Sequence, residues 1–481
     1  MSKEDMPIES IQQYISKLLE AGELKIIKSE VNPNLEIAEI LRRYMYVKGP
    51  AILFKNIKGY DMPVLGNAFG SLKRLQIGLE TDDFIDIGKR IVEMTKMDMQ
   101  SGIINKIKKI PEISKIGDIF PKLEKTGPIN DVISEPTMSK IPILKSWYKD
   151  AGKFITFGIV TTKHPETGVR NLGVYRIQII DDKHAIIHWQ KHKRSAQHST
   201  LRKNNEKINV AIILGADPAT VFASVAPVPE GLDKYVFAGI VRKKGVKITK
   251  CKTIDLEVPS NSEIVLEGYV DPNELKEEGP FGDHTGYYTP KDMFPIFTLT
   301  GLMQKNNPVY LTTVVGKPIL EDAYIGKVIE RSFLPLIKFL QPEVVDFSMP
   351  SSGWFQGMAI VSIRKIYPGQ AKKVMMGLWG MGQLSLTKII ITVDEDINIH
   401  KIDDVIWSLT TRTDPARDIM IINNTPTDTL DPASPIVNMG SKMGIDATQK
   451  TFEENYNRPI PEKAIVDAVT KSLVDSKWES Y

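Results

Sequence analysis

The chain is almost free of cysteine, because Cys251 is the only one among its 481 residues. A single thiol cannot form an internal disulfide, and it argues against a metal cluster held by thiolates. The sequence also lacks an apolar run of about 18 residues, the length that a transmembrane helix needs. Its first residues, which include Lys3, Glu4 and Asp5, show none of the apolar character of a signal peptide. We therefore expect a soluble cytoplasmic protein.

An excess of one charge sign is also missing. Lys and Arg total 62 against 59 Asp and Glu, which leaves a net charge of +3 and no bulk attraction to nucleic acid or membranes. One segment, residues 191–207, is locally basic, with six Lys or Arg and one Glu. It contains no aromatic side chains on which bases could stack, so we interpret it as a solvated helix rather than a nucleic-acid site.

The length of the chain exceeds what one hydrophobic core usually supports, so two or three domains are expected. Apolar residues make up 42% and charged residues 25%, which is typical of folded rather than disordered chains. The pattern predicts an N-terminal α/β domain over residues 1–120 and a C-terminal α/β domain over residues 317–481. Between them, at residues 121–316, many strands with short turns predict an antiparallel sheet closed into a barrel.

Hydrophobic periodicity and turn residues place the individual elements. In the N-terminal region we predict a helix at residues 8–19 and a buried strand at 51–54. The strands predicted for the central region are residues 154–162, 170–180, 185–190, 209–214, 246–258, 263–270 and 295–315. In the C-terminal region we predict helices at 371–378 and 461–477 and strands at 388–393 and 418–422.

The most informative segment is Glu278-Gly-Pro-Phe-Gly-Asp283, which sets two carboxylates five residues apart across a turn. Glycines at 279, 282 and 286 allow the backbone to bend tightly and to approach a ligand closely. An ordinary surface loop needs neither this geometry nor an acid at each end. The segment therefore indicates an active-site loop. The next residue, His284, either tunes Asp283 or has a structural role.

A second segment, Arg170-Asn-Leu-Gly-Val-Tyr-Arg176, completes the pattern. Together the two segments resemble the UbiD family of non-oxidative decarboxylases, which use prenylated FMN. Further matching segments follow in the family's order over nearly the whole chain: Gly49-Pro-Ala-Ile-Leu-Phe54, Gly59-Tyr-Asp-Met-Pro-Val64, Leu214-Gly-Ala-Asp-Pro-Ala-Thr220, Asp255-Leu-Glu-Val-Pro259, Glu263-Ile-Val-Leu-Glu-Gly268, Thr411-Arg-Thr-Asp-Pro-Ala-Arg-Asp418 and Gly440-Ser-Lys-Met-Gly-Ile-Asp-Ala-Thr448. The resemblance implies a split barrel that holds the flavin.

Loss of CO2 leaves a carbanion, so such an enzyme needs an electron-accepting cofactor, a cation for the substrate carboxylate and a proton donor. The resemblance assigns the catalytic roles to Arg176, Glu278 and Asp283, with Glu278 paired to Arg176 and Asp283 as the proton donor. Two carboxyl groups in one small site predict that the pKa of one is raised, so that it stays protonated near neutral pH. Aspartate at position 283 resembles the bacterial ubiquinone-pathway subgroup, whose substrate is 4-hydroxy-3-polyprenylbenzoate.

The resemblance also implies which residues contact the cofactor. These are Asn171, Val174, Tyr175, Arg176, His188, Trp189, Gln190, His192, Lys193, Arg194, Lys234 and Lys388. In the family the flavin phosphate is held through a divalent metal, usually Mn(II), with a potassium ion nearby.

Asn171 and His192 match two of the three metal ligands, but Lys234 stands where the family has Glu. Protonated lysine has no acceptor atom and cannot bind a metal. Three explanations remain open: the neighbouring Asp233 supplies the carboxylate, the ammonium replaces the metal, or the protein has lost activity.

Three functions compete at this point: a reversible prenylated-FMN decarboxylase of an aromatic or α,β-unsaturated acid, an ordinary flavin oxidoreductase, and a non-catalytic accessory subunit. Within the first, the substrate is either a 4-hydroxy-3-polyprenylbenzoate-like acid of quinone biosynthesis or anhydromevalonate phosphate of isoprenoid synthesis. The resemblance implies a flavin prenyltransferase as cofactor supplier. It also implies a homo-oligomer, a dimer or hexamer, built through the C-terminal domain.

Overall fold

The computed structural model describes residues 7–100, 117–189, 206–228, 231–317 and 320–481, with side chains of the fourth helix described up to residue 94. The helices are α1 (Ile11–Glu20), α2 (Glu36–Tyr46), α3 (Leu72–Leu79), α4 (Ile85–Gln100), α5 (Pro218–Val225), α6 (Lys234–Arg242), α7 (Glu321–Leu340), α8 (Gln370–Trp379), α9 (Ile402–Arg412), α10 (Pro415–Asp418) and α11 (Ala468–Lys477). Within these ranges, none of the helices combines the length and apolarity required to cross a membrane.

The strands, in chain order, are β1 (Leu24–Val31), β2 (Ala51–Ile57), β3 (Val64–Gly66), β4 (Lys122–Leu123), β5 (Val132–Ser134), β6 (Phe154–Lys163), β7 (Arg170–Ile179), β8 (His184–Ile187), β9 (Ile208–Leu214), β10 (Lys247–Lys250), β11 (Glu257–Pro259), β12 (Ile264–Glu278), β13 (Phe281–Gly282), β14 (Tyr288–Thr289), β15 (Asp292–Gln304), β16 (Tyr310–Leu311), β17 (Val344–Ser348), β18 (Met358–Ile363), β19 (Ile389–Asp394), β20 (Ile419–Pro426) and β21 (Met439–Asp446). The mixed α/β fold class predicted from the sequence is confirmed.

The N-terminal region forms a four-stranded sheet in the order β1-β2-β3-β16. Its first helix begins at Ile11 rather than at residue 8, because the Ser10 side chain accepts a hydrogen bond from the Gln13 amide and caps it. The last strand of this sheet comes from far downstream: Tyr310–Leu311 pairs in parallel with β3. The predicted strand at 295–315 is therefore two strands in two different sheets.

Six strands of the described chain form a closed ring in the order β12-β9-β6-β7-β8-β15, and β15 pairs back onto β12. The predicted closure of this sheet is confirmed. One side of the ring is filled by apolar side chains such as Ile155, Ile177, Ile212 and Phe297, all fully buried. The ring therefore gives the strand β7 a rigid, fully packed setting.

Part of the central region departs from the prediction. Residues 246–258 do not form one strand of the ring; β10 and β11 pair with β4 in a separate three-stranded sheet. Two helices, α5 and α6, are inserted between β9 and β10. Asp217 and Asp233 cap these helices through hydrogen bonds from the amides of Thr220 and Tyr235. The insertion matters for the site because α6 begins at Lys234.

The C-terminal region forms a five-stranded sheet in the order β17-β18-β19-β21-β20, with α8 packed against it through residues such as Met375 and Leu378. The final helix differs from the prediction. It begins at Ala468 rather than at 461, where the Asp467 side chain caps it. None of its residues is buried, so its apolar side chains, Val469 and Leu473 among them, are exposed on this chain.

Candidate active site

Arg176 is the centre of a buried charge cluster. Its Nε and Nη2 donate to the two carboxylate oxygens of Glu278 at 2.8 and 2.9 Å, and its Nη1 donates to Asp283 Oδ2 at 2.5 Å. All three side chains are less than 10% exposed. About a hundred residues separate Arg176 from the two acids, so the ring topology, in which β7 and β12 both take part, brings them together.

The backbone around Arg176 is irregular in a way that directs its side chain. In the pairing of β6 with β7, Ile155 lies opposite Ile177 and Gly158 lies opposite Tyr175. Two residues of β6 therefore face the single residue Arg176, which is the pattern of a β-bulge. Bulges re-aim side chains and are common beside functional sites.

The loop that carries the two acids is held at several points. The amide of Gly279 donates to Gln178 Oε1 and the amide of Gly282 donates to Asp150 Oδ1, both at 2.8 Å. Gly279 adopts a φ of +93°, a conformation open to glycine and strained for other residues. The ring of Phe281 lies 4.9 Å from the Arg176 guanidinium, a cation–π contact. The predicted tight, rigid turn is therefore present.

The protonation states differ from the prediction. Burial by itself raises the pKa of Asp283, but the charges of His284 and Arg176 hold that pKa below its ordinary value. Burial also raises the pKa of Glu278, and hydrogen bonds from His188 and Arg176 more than offset this. The expectation that one acid stays protonated is wrong for this state. The reason is that each carboxylate has a histidine beside it, His284 for Asp283 and His188 for Glu278, and that Arg176 lies between the two acids and pairs with both.

His188 extends the cluster on the Glu278 side. Its Nδ1 lies 3.1 Å from Glu278 Oε2, and its ring contacts Phe294. Burial lowers the pKa of His188, so the neutral imidazole is favoured. Its Nε2 and the Nε1 of Trp189 are buried without a hydrogen-bond partner among the described residues. Buried polar atoms of this kind are costly unless something binds them, so they are candidates for cofactor contacts.

His284 extends the cluster on the Asp283 side. Its Nε2 lies 3.4 Å from Asp283 Oδ1, and its Nδ1 lies 2.7 Å from Asp322 Oδ2 at the start of α7. The second contact has the distance of an ion pair without in-line hydrogen-bond geometry. Burial by itself lowers the pKa of His284, but Asp283 and Asp322 raise it to about 9. Sequence reasoning did not identify Asp322, although it directly follows Glu321 in an acidic first helical turn.

The residues predicted to hold a metal are only partly described. Asn171 is buried on β7, whereas His192 lies outside the described residues. Lys234 is buried at the first position of α6, and its Nζ donates to the carbonyl of Ser224 at 2.8 Å. Within the described ranges, no cluster of three or more His, Cys, Asp or Glu is arranged to hold a metal ion.

Asp233, the alternative carboxylate, is already engaged. Its Oδ2 accepts a hydrogen bond from Arg170 Nε at 2.7 Å, and its Oδ1 accepts one from the Tyr235 amide at 2.8 Å. The side chain is thus both a helix cap and half of an ion pair. The described side chains at this position therefore do not fit the carboxylate ligand that the family's metal requires.

The other residues predicted to contact the cofactor do not all lie near β7. Tyr175 is buried in the ring core, and Val174 packs against the neighbouring core cluster. Lys388 lies in the C-terminal sheet region, where its Nζ pairs with Asp431 at 2.9 Å. Gln190, His192, Lys193 and Arg194 lie outside the described residues.

A separate cleft of about 740 Å³ lies in the C-terminal region. Its lining includes Asp446, Lys450 and Glu454. All three form ion pairs: Lys450 pairs with Asp446, and Glu454 pairs with Lys365, which is not part of the lining. The ion pairs engage these three lining residues, whereas the cluster around Arg176 brings together residues that the sequence predicted for the site.

Three domain models of one protein family match most of the chain. The N-terminal domain of 3-octaprenyl-4-hydroxybenzoate carboxy-lyase matches residues 15–91, the Rift-related domain of that enzyme family (UbiD) matches residues 122–318, and its C-terminal domain matches residues 323–447. Two relatives described as uncharacterized proteins match end to end. One, from Archaeoglobus fulgidus, is 46% identical, and one, from Aeropyrum pernix, is 43% identical. The first match covers 98% of both chains and the second 99% of both.

Solved structures show the same likeness. Vanillic acid decarboxylase of Sedimentibacter hydroxybenzoicus in closed form is 26% identical, with a TM-score of 0.85 over 98% of both chains. The UbiD-class enzyme HmfF of Pelotomaculum thermopropionicum in complex with FMN is 25% identical, with a TM-score of 0.80 over 97% of this chain and 99% of that one. An evolved dimeric form of HmfF, solved with prFMN, is 24% identical, with a TM-score of 0.78 over 96% of this chain and 98% of that one.

Proposed function

The chain belongs to the UbiD family of carboxy-lyases, and we propose that it catalyses the reversible, non-oxidative decarboxylation of an aromatic or α,β-unsaturated acid with prenylated FMN. The observation that carries this proposal is the buried cluster in which Arg176 grips Glu278 with two hydrogen bonds and Asp283 with a third. An ordinary flavin oxidoreductase has no use for this arrangement.

Each member of the cluster has a role that its chemistry allows. Guanidinium is permanently charged and binds carboxylates through paired hydrogen bonds, so Arg176 would orient the substrate carboxylate. Glu278, buried and paired with both Arg176 and His188, would keep the guanidinium in that orientation. Asp283 would donate a proton to the carbon from which CO2 departs. The bound cofactor would accept the electron pair released when the C–C bond breaks.

The residues that would hold that cofactor lie on and beside β7. The Nε2 of His188 and the Nε1 of Trp189, which have no hydrogen-bond partner within the described ranges, would bind its polar atoms. Val174 and Tyr175 precede Arg176 on the same strand. Asn171 lies near the opposite end of β7, about 17 Å away along an extended strand. There Arg170 contacts Asp233, the residue next to Lys234, so β7 links the cation at position 234 with the catalytic cluster.

We also propose that the ammonium of Lys234 takes the place of the family's divalent metal. Lysine cannot ligate a metal while protonated, and the carboxylate of Asp233 is committed to Arg170 and to the cap of α6. A fixed ammonium can instead form a charge-assisted hydrogen bond with a phosphate. Flavin retention would then not require Mn(II) or potassium.

The substrate has two candidates. Asp at position 283 resembles the subgroup that acts on 4-hydroxy-3-polyprenylbenzoate in quinone biosynthesis. The second candidate is anhydromevalonate phosphate of isoprenoid synthesis, which related archaeal proteins decarboxylate. The relatives at 46% and 43% identity are described as uncharacterized proteins, so they favour neither acid, and a substrate assay has to decide between the two.

The proposal is tested by expressing the protein together with a flavin prenyltransferase and assaying CO2 release from both candidate acids and a panel of aromatic and α,β-unsaturated acids. We expect absorption of the modified flavin and CO2 release from at least one acid. Plain FMN without CO2 release would favour an oxidoreductase. Absence of any flavin would favour the accessory-subunit alternative.

A further inference from the structure

We propose that His284, held by Asp322, is the group that supplies protons to Asp283 during turnover. This inference rests on the decarboxylase function proposed above and adds to it a route for the incoming proton. Each decarboxylation replaces one CO2 with one proton, so the buried Asp283 must receive a new proton from solvent once per cycle.

Asp283 has few neighbours from which a proton can come. Its carboxylate accepts hydrogen bonds from Arg176 Nη1 and from the backbone amide of His284. Neither donor can give up its proton, since guanidinium stays protonated at all relevant pH values and the amide is not acidic. Among the described residues, the His284 imidazole at 3.4 Å is the titratable group next to Asp283 that also reaches solvent. Only 6% of the Asp283 side chain is exposed, against 25% for His284.

The surroundings of His284 keep its imidazole charged. Asp283 faces it from its own loop, Asp322 faces it from α7, and Asp428, from the loop after β20, adds a further negative charge. Its ring also contacts Phe355 edge-on, with centroids 5.8 Å apart. Three carboxylates around one imidazole raise its pKa to about 9, so near neutral pH the proton is present and in place.

Asp322 is positioned to keep this arrangement. It lies in the first turn of α7, where the helix dipole favours a negative charge. The amide of Leu320 donates to Asp322 Oδ1 at 3.2 Å, which leaves Oδ2 directed at His284 Nδ1. With Nδ1 facing Asp322, Nε2 is the nitrogen that faces Asp283. The pair thus fixes which ring nitrogen serves the active site.

The proton balance of the step is simple. The bond between the substrate carbon and its carboxylate breaks and CO2 leaves. A substrate carboxylate that engages Arg176 draws the guanidinium away from Asp283 and raises the proton affinity of that carboxylate. The proton on His284 Nε2 can then pass to Asp283, and from Asp283 to that carbon, where a C–H bond forms. The neutral imidazole keeps its Nδ1 proton against Asp322 and takes a new proton on Nε2 from solvent. No oxidant or reductant is consumed.

The first test needs no substrate. In flavin-loaded protein with labelled histidine, NMR should show that the His284 imidazole titrates near pH 9, and Asp322→Asn should lower that pKa. His400, which pairs with Asp346 at 2.8 Å on the surface, is a matched control whose titration Asp322→Asn should leave unchanged. Titration of His284 at the ordinary value of about 6.5 would overturn the proposal.

The second test uses the panel acid that the wild-type holoenzyme decarboxylates fastest. His284→Gln should lower kcat about 100-fold with KM and flavin content unchanged. Its solvent deuterium isotope effect should rise, and added imidazole should restore part of the rate. Asp322→Asn should move the alkaline limb of the pH–kcat profile to lower pH, whereas His400→Gln should behave as wild type.

The outcomes separate the two proposals. CO2 release by the wild type together with normal kcat, isotope effect and pH profile in His284→Gln would overturn the proton route alone. A raised KM with unchanged kcat would also overturn it, because that result indicates substrate positioning. Wild-type holoenzyme that releases no CO2 from any acid would overturn the proposed function itself.

Discussion

At the scale of single residues, Arg176 decides the chemistry of the site. It is buried with two carboxylates and pairs with both. Together with His284 beside Asp283 and His188 beside Glu278, it keeps their pKa values low although burial opposes this. Asp283 is therefore ionised before substrate binds. A substrate carboxylate that engages Arg176 competes with Asp283 and Glu278 for the guanidinium, which would raise their proton affinity.

Replacement of Asp283 by Asn tests its role. Asn has nearly the same size and can still accept a hydrogen bond from Arg176 Nη1, but it cannot carry a proton. We expect turnover to fall about 10²- to 10⁴-fold with flavin content unchanged, measured by CO2 release and absorbance. Asp181→Asn, which alters a surface Asp beside His184, is the matched control. Normal turnover in Asp283→Asn would remove the proton-donor role.

Lys234 allows a second prediction at this scale. If its ammonium replaces the metal, EDTA should not release flavin from the wild-type protein, and Lys234→Glu should make flavin retention depend on Mn(II). Lys243→Glu, an exposed change at the other end of α6, should have neither effect. Loss of flavin from the wild type in EDTA, measured after gel filtration, would show that a metal is bound after all.

At the scale of elements, the loop from Glu278 to Asp283 is held in position by the indole of Trp147, which packs against Gly282. A Cβ on Gly282 would lie 2.4 Å from Cδ1 of Trp147, and that indole is itself fixed by a 3.0 Å hydrogen bond to the Val315 carbonyl. Position 282 thus requires glycine because a side chain would collide with Trp147, and not because the backbone has a positive φ there.

Gly282→Ala should therefore displace the loop and the adjacent Asp283. We expect a loss of about 1–3 kcal/mol in the free energy of unfolding together with reduced kcat. Gly152→Ala is the matched control, since nothing lies within 4 Å of a Cβ there and its φ is not positive. Denaturant unfolding and CO2 release measure the two effects. Equal behaviour of the two variants would contradict the packing argument.

At the scale of the whole molecule, the C-terminal segment leaves apolar side chains exposed. Ile465 and Val469 are 81% and 79% exposed, and Leu473 and Trp478 are at least half exposed. Isolated helices of this length are marginal in water unless an apolar face is packed, and apolar patches of this kind mark interaction sites. We propose that the segment packs on another copy of the chain, which gives the homo-oligomer expected from the sequence.

Val469→Lys combined with Leu473→Lys should weaken that assembly, because both charges would have to be buried at the contact. Light scattering at micromolar concentration should show an oligomer for the wild type and a smaller species for the double variant. Lys471→Ala, on the same helix, should leave the mass unchanged. A monomeric wild type would rule the proposal out.

Much of the fold was predictable because its signals are local. Alternating apolar residues indicated β6, β7 and β9, and motif order indicated the family and the trio Arg176, Glu278 and Asp283. The short strands β10 and β11 were predicted as a single strand, and the helices α5 and α6 were not predicted. Their apolar runs suit either element, and which sheet a short strand joins depends on residues far away in the sequence.

The amino-acid sequence by itself determined the family, the closed central sheet and the three residues of the buried Arg176 cluster, because these follow from residue types and their order. Only the tertiary structure decided the charge states and the partners. It placed Arg176 between both acids, tied Asp233 to Arg170, set Asp322 beside His284 and left the last helix exposed. Each of these outcomes depends on distances between groups that are remote in the chain, and a pKa responds to such distances rather than to sequence.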